Sequence, residues 1–402
     1  MNKQASINRK TVKKSMKNNS MMIIFSGNKL KSSADGEYPF VVNRNFYHLT
    51  QINEPNLVLT MTKNSEVLFI EESDELFEKW IGKKISKQES FKKSNIEDVR
   101  YLADFKEEFF NNYENIYLDL EKDQFNNYPT PALKFKEDFK LHVLDAYPII
   151  TKSRATKSLT EVEKISEALI ITDEGLKNIM RSLKANKKES YFEAHFDFVL
   201  KSKNVIPAFD TIAASGANAT TLHYVTNDNI AKDGDLILFD LGATSDLYCA
   251  DISRTYPVNG KFTKRQKELY KMVLDANEMV IDAIKPGITM KELNDIVIKL
   301  YEKELLRLKV IKNVEEVKNY YYHGVSHSLG LDTHDVGLDR SQPLIKGNVI
   351  TVEPGIYIKE ENIGIRIEDN ILVTKEGSLN LSKHIIKSIE DIEEFMSDVK
   401  EK

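Results

Sequence analysis

The chain reads as an α+β protein of two domains. A smaller α/β domain covers residues 1–155, and a larger one, 156–402, is built on antiparallel strands with flanking helices. Three observations carry this reading. The chain has 402 residues, more than one hydrophobic core usually supports. Strand-like and helix-like patterns alternate as far as residue 150, as in an α/β unit. From residue 205 onward glycine-rich turns separate β-rich segments, and five of the eight histidines lie between 195 and 334.

Taken in order, residues 1–20 carry six Lys/Arg and no acid, which suggests a solvated basic helix. MMIIFSG (21–27) reads as a strand ending at a glycine. Residues 40–52, FVVNRNFYHLTQI, are rich in β-branched and aromatic types and read as extended. NLVLTMT (56–62) and EVLFIE (66–71) flank a short polar turn and read as a hairpin. Residues 74–82 and 96–112 show apolar spacings of three and four, so helices are expected. ENIYLDLE (114–121) is a further strand. His48 and His142 stand apart from any polar constellation and are read as structural. The domain boundary falls near 146–156, AYPIITKSRAT.

A long helix should then begin at Ser158, where Glu161 completes a capping box, and a second should span 188–202. Residues 262–284 and 288–308 read as amphipathic helices joined by Pro286 and Gly287. NVITVEPGIYI (348–358) and IGIRIEDNILV (363–373) are strands around an acidic turn, and 384–397 is a terminal helix. No solenoid repeat or low-complexity stretch is present.

Composition excludes some partners. Charged residues make up 30% and hydrophobic ones 41%, with a net charge of −5. That balance gives no global attraction to nucleic acid or an anionic membrane. The apolar run at 21–25 is too short to span a bilayer. Cys249 is the only cysteine, so no intramolecular disulfide can form, and a reducing, cytoplasmic location is expected.

The chemistry is expected in the two hairpins. If the first is centred between Ser245 and Asp246, Asp240 lies opposite Asp251. If the second is centred on Glu360 and Glu361, Glu353 lies opposite Glu368. Directly opposed like charges destabilise a sheet unless a proton or a cation lies between them. One such pair could equally flank a solvated turn, but two point to a shared cation. Arg366 shares a face with Glu368, whereas Asp369 falls on the other face and reads as a surface acid. His323, His327 and His334 lie between the hairpins, interleaved with Gly324, Gly330 and Gly337. One imidazole with four carboxylates makes an oxygen-rich N/O donor set suited to Mn²⁺. Five such ligands suffice for two ions if carboxylates bridge, and two-metal sites make a nucleophile of water.

On LHYVTND (222–228), FDLGATSDLYCADISRTYP (239–257), HGVSHSLGLDTHDVG (323–337), TVEPGIYI (351–358) and GIRIEDNILVT (364–374), the chain resembles the pita-bread metallopeptidases of family M24. Within them it looks like aminopeptidase P, the Xaa-Pro aminopeptidases. FSGNKLKSSADGEYPFVVNRNFYHLTQI (25–52) resembles that family's N-terminal domain. The resemblance implies a pita-bread fold and two divalent ions held by Asp240, Asp251, His327, Glu353 and Glu368. It makes Glu353 an acid/base group as well. It implies that His223 supports the substrate and the tetrahedral centre, that His334 contacts the substrate carbonyl, that His323 lines the proline pocket and that Arg366 sits close to the metals. It places Trp80 near a subunit contact, against a plain core role, and implies a homo-oligomer, dimer or tetramer. The substrate would be a peptide with proline second. A prolidase restricted to Xaa-Pro dipeptides shares these ligands, and a non-catalytic interaction protein on the same fold is the reading from another class.

Overall fold

A computed structural model describes residues 3–120, 130–337 and 339–400. The chain divides into two compact units, Met1–Arg154 and Ala155–Lys402. No described helix is long and apolar enough to cross a membrane.

The first unit is built on a six-stranded mixed sheet. Its strands are β1 (Ser20–Phe25), β2 (Val58–Met61), β3 (Glu66–Ile70), β4 (Asp98–Tyr101), β5 (Asn115–Leu118) and β6 (Val143–Asp145), in spatial order β4-β3-β2-β1-β5-β6. The β2–β3 hairpin expected from sequence is present. So is the strand expected at 114–121, although Glu121 lies outside the described residues. Helices α1 (Gln4–Lys13), α2 (Arg44–Thr50), α3 (Glu75–Ile81), α4 (Lys87–Ser94), α5 (Pro131–Asp138) and α6 (Tyr147–Arg154) complete the unit.

Two expectations fail here for local reasons. Residues 40–52 hold α2 rather than a strand. The Asn43 side chain accepts the Phe46 N–H at 2.8 Å, and Gln51 ends the turn in the left-handed region; these caps outweigh β propensity. Residues 96–112 form β4 and two 3₁₀ turns, and the helix lies earlier, at α4, opened by a Ser86/Glu89 capping box. The apolar spacing there serves an aromatic cluster instead. Phe105, Phe109 and Phe110 pack on Phe69 and Phe135 with ring centroids 5.0–5.8 Å apart.

Nor is α1 wholly solvated. Arg9 is fully buried, and its guanidinium donates to Glu66 at 2.7 Å and to the carbonyls of Leu49 and Ser94. His48 is buried between Asn8 and Ser153, a structural role as expected, while His142 is exposed. Trp80 is 83% exposed, so it is not a core residue.

In the second unit, α7 (Leu159–Ser182) opens with the Ser158/Glu161 capping box and packs against α8 (Glu189–Ser202). A short bridge pairs β7 (Lys187–Lys188) with β9 (Ile230–Ala231). Three antiparallel strands, β8 (Ile212–Ser215), β10 (Leu236–Leu241) and β13 (Ile252–Pro257), form one sheet with β10 in the middle. The tip between β10 and β13 carries β11 (Thr244–Ser245) and β12 (Tyr248–Cys249). Helices α9 (Lys264–Ala283) and α10 (Met290–Arg307) follow. The second expected hairpin is split into β14 (Val349–Val352), β15 (Gly355–Ile358), β16 (Ile363–Arg366) and β17 (Asp369–Val373); β18 (Ser378–Asn380) extends it and α11 (Ile389–Lys400) ends the chain.

The Arg9–Glu66 pair generates a prediction. Glu66→Gln leaves a buried guanidinium without its carboxylate and should cost the first unit about 3 kcal/mol, read as faster hydrogen exchange in β3. Burial pushes the Glu66 carboxyl up, but Arg9 and Lys13 outweigh it and hold it below the usual range. Its contribution is therefore full above the unfolded value of about 4.3 and should fade as pH falls through the lowered folded value.

Candidate metal centre

The first hairpin differs from expectation in register. Asp246 and Leu247 both have positive φ, as the two central residues of a type I′ turn require. The turn is thus centred between them, one residue later than expected. Asp240 consequently faces Ser253 on β13, not Asp251. Because side chains alternate, Asp251 still shares the face of Ser253, and the two aspartates are diagonal neighbours. Gly242 permits this crossing: a Cβ there would overlap the Ala250 carbonyl oxygen.

The second hairpin has the expected register. Gly355 faces Arg366 and Val352 faces Asp369, the same alignment on both sides of a gap. Within the gap, continuing that register sets Glu353 opposite Glu368. Pro354 interrupts the ladder, having no N–H to donate. The freed amides reach other segments: the Glu353 N–H bonds the Val325 carbonyl at 2.9 Å, and the Glu368 N–H bonds the Ser253 carbonyl at 3.0 Å. The Thr351 N–H likewise donates to the His327 carbonyl at 3.0 Å. Backbone bonds thus draw the histidine segment and the first hairpin onto the second.

The side chains converge on a cavity of about 680 Å³ lined by all five expected ligands and by His223, His323, His334 and Arg366. Donor atoms of Asp251, His327 and Glu368 lie within 4.8 Å of one another. His327 Nε2 is 3.3 Å from Asp251 and 3.5 Å from Glu353. Its Nδ1 lies 3.1 Å from the Ser328 carbonyl, which can only accept. Nδ1 therefore carries a proton, and Nε2 is the nitrogen turned toward the two carboxylates, free to hold a proton between them or to give a lone pair to a cation. A proton or a cation at Nε2 is what relieves the crowding of these groups. Asp240 Oδ1 is buried and accepts no hydrogen bond, although Oδ2 takes Arg366 Nη2 at 2.6 Å. Burial and the neighbouring carboxylates push Asp251 and Glu368 well above the usual range. Burial also raises Glu353, against the pull of His327 and Arg366. These residues fit a divalent cation: they are an oxygen-rich carboxyl set with one imidazole nitrogen and one orphaned carboxylate oxygen.

The other expected residues are placed around this set. The His334 ring lies 4.3 Å from that of His327, centre to centre. Partial burial and His327 push its pKa down to about 4. Burial and Arg366 do the same to His323, also to about 4. Both rings are neutral at pH 7. His323 Nδ1 donates to the Gly324 carbonyl, and Nε2 accepts from the Tyr357 hydroxyl at 2.8 Å. His223 is exposed toward the cavity.

Sequence reasoning missed Tyr357, which joins His323 to Arg366 Nη1. It also missed Ser253, whose hydroxyl donates to Glu368 at 2.7 Å and accepts from Arg366 Nε at 2.7 Å. Strand parity was the available signal, since Tyr357 shares a face with Glu353 and Ser253 with Asp251. Asp369 corrects another expectation. It is fully buried rather than at the surface, paired with Arg254 at 2.9 Å and Lys387 at 2.6 Å.

The chain is similar to known proteins along most of its length. Residues 163–375 match the model of metallopeptidase family M24, and residues 6–117 match that of the aminopeptidase P N-terminal domain. The chain is 33% identical to a Xaa-Pro aminopeptidase of Haemophilus influenzae, over 95% of this chain and 94% of the relative. It is similar to the solved structure of a proposed aminopeptidase P from Bacillus anthracis, with TM-score 0.95, 45% identity and 98% of each chain covered. It is also similar to aminopeptidase P from E. coli with the inhibitor Pro-Leu, with TM-score 0.90, 30% identity and 100% and 99% covered.

The raised carboxyls set a sign for stability. A folded state that holds protons the unfolded state releases loses stability as pH rises. Chelated protein should therefore melt at progressively lower temperature as pH rises from about 4 through the raised folded values. Saturating Mn²⁺ should reverse the loss at neutral pH and release protons on binding. Scanning calorimetry with chelator and with metal checks this; coincident melting curves at pH 7 would contradict it.

Proposed function

The chain belongs to metallopeptidase family M24, in its aminopeptidase P branch, and on that footing we propose that it is a Xaa-Pro aminopeptidase, a metallo-exopeptidase that releases the N-terminal residue from peptides with proline second. The observation that carries the reading is the convergence of Asp240, Asp251, His327, Glu353 and Glu368 on one cavity, with His327 Nε2 turned toward two of the carboxylates. In this reading those five residues hold two divalent ions, manganese by the oxygen-rich donor set. When bound, such ions polarise the scissile carbonyl and lower the pKa of a water.

The chain's own groups do the rest. Glu353, with its raised carboxyl, takes a proton from the attacking water and returns it to the proline nitrogen as the bond breaks. His223 and His334 donate hydrogen bonds to the substrate carbonyl and to the charge that develops on it. The neutral state of His334 suits a donor that must not repel the cations. His323, with both ring nitrogens engaged, offers its ring face as a wall for proline. Arg366 lines the cavity and fixes Asp240. Residues 156–402 carry catalysis, and 1–155 form the N-terminal domain of aminopeptidase P type. The lone cysteine supports a cytoplasmic location. A homo-oligomer, dimer or tetramer, is part of the same reading.

Chelated enzyme with each metal restored in turn should cleave both Xaa-Pro dipeptides and Xaa-Pro-Xaa tripeptides, with Mn²⁺ the best activator. A protein that leaves the tripeptide intact is a dipeptidase, and one that cleaves neither under any metal is no peptidase of this kind. Glu353→Gln should lower kcat by about 10²- to 10⁴-fold in a protein that is still folded by circular dichroism.

A further inference from the structure

Glu189 is the first residue of α8, and it is fully buried. Among the described residues no cation pairs with it. Its carboxylate instead accepts from five donors, all on the segment 215–229. Oε1 takes the Ser215 backbone N–H at 2.6 Å, the Ser215 hydroxyl at 2.7 Å and the Asn218 amide at 3.2 Å. Oε2 takes the Tyr224 hydroxyl at 2.9 Å and the Asn229 backbone N–H at 3.0 Å. The same end of α8 adds two backbone bonds, from the Glu189 and Ser190 N–H groups to the carbonyls of Asn229 and Asn227.

Between these anchors the segment has little regular structure. Gly216–Thr220 is a 3₁₀ turn, and residues 221–229 form no strand or helix. Leu222 and Tyr224 pack against the apolar cluster of Ile212, Ala214, Leu238 and Tyr357. His223, between them, lines the cavity, as Leu222 and Val225 do. The orientation of that imidazole thus depends on bonds made by its neighbours. A buried carboxylate is tolerated only when its oxygens are fully engaged. Here one segment satisfies it, so the anion and the loop geometry are one arrangement.

We propose that Glu189 is a positioning residue of the hydrolytic site: its buried carboxylate clamps segment 215–229 and so fixes His223 at the cavity. The proposal rests on the assignment of His223 to the substrate-facing groups made above. Glutamine at 189 could keep the Ser215 bonds through its oxygen. Its amide would then turn a donor toward the Asn229 N–H and release the end of the segment.

The test compares wild type, Glu189→Gln, His223→Ala and the double variant, all Mn²⁺-loaded, on an Xaa-Pro-Xaa tripeptide well below their melting temperatures. Glu189→Gln should lower kcat about 10- to 100-fold. In the His223→Ala background it should change kcat by no more than about twofold, because the clamp acts through that imidazole. Tyr224→Phe removes one arm of the clamp; it should lower kcat by a smaller factor, and it carries the test if Glu189→Gln does not fold. A Glu189→Gln enzyme that loses only melting temperature overturns the proposal, as does one that loses the same factor of kcat in both backgrounds. Hydrogen exchange at the 216–229 amides reads the clamp without turnover. It should be faster in the variant, and unchanged exchange also overturns the proposal. If wild type cleaves no Xaa-Pro peptide, the activity assignment falls, and exchange still decides the clamp.

Discussion

Like charges crowded into a poorly solvated cavity are the constraint around which the second unit is built. Two unit charges about 4 Å apart at an effective dielectric of 20 repel by about 4 kcal/mol, comparable with much of a domain's net stability. Asp240, Asp251, Glu353 and Glu368 meet in one cavity, so a scaffold that yielded would let them splay apart. The surroundings do not yield. Arg366 neutralises Asp240 on one side, and its Nε sets the Ser253 hydroxyl that donates to Glu368. Asn370 clamps the backbone of Asp251 from both sides, its Oδ1 accepting the N–H and its amide donating to the carbonyl.

Behind the cavity a second charged layer holds the first in place. Arg254 is fully buried and donates to Asp369, to the carbonyls of Ser253 and Glu368, and to that of Ile386. Lys387 closes the layer by bonding Asp369 and Asn277. Arg254 and Lys387 outweigh the upward push of burial and keep Asp369 ionised. The alternation of strand side chains explains the two layers. Glu368 faces the cavity, and its chain neighbour Asp369 faces the interior, where it is balanced by fixed cations rather than by an exchangeable one.

Much of this could be read from sequence, and the limits have physical causes. The second hairpin was legible to the residue because its turn, 359–362, is symmetric about the two strands and contains no extra residue. The first was misaligned because a leucine occupies a left-handed position that sequence rules assign to glycine or asparagine. The face shared by Asp240 and Asp251 survived that error, since moving a turn by one residue shifts the pairing by two and preserves parity. Asp369 was misjudged because its partners lie 115 and 18 residues away in sequence. α2 was misjudged because one capping side chain overrode the composition of seven residues. Glu189 gave no signal at all: a glutamate at a helix start is ordinary, and its donors come from a loop whose path only the folded chain defines.

The gap at Pro354 also dictates an order of events. The bonds that close the site, from Ser253 to Glu368 and from Arg366 to Asp240, join residues 115 and 126 apart in sequence. Such contacts come at a high loop-closure entropy and are made late. Because the gap sends the Glu353 and Glu368 amides to different segments, neither hairpin holds a finished half of the centre by itself. A nascent or partly unfolded chain therefore offers an ion only scattered carboxylates, and full affinity arrives with the last long-range contacts. The ligands therefore come together as one set only when the contacts between the two hairpins are made.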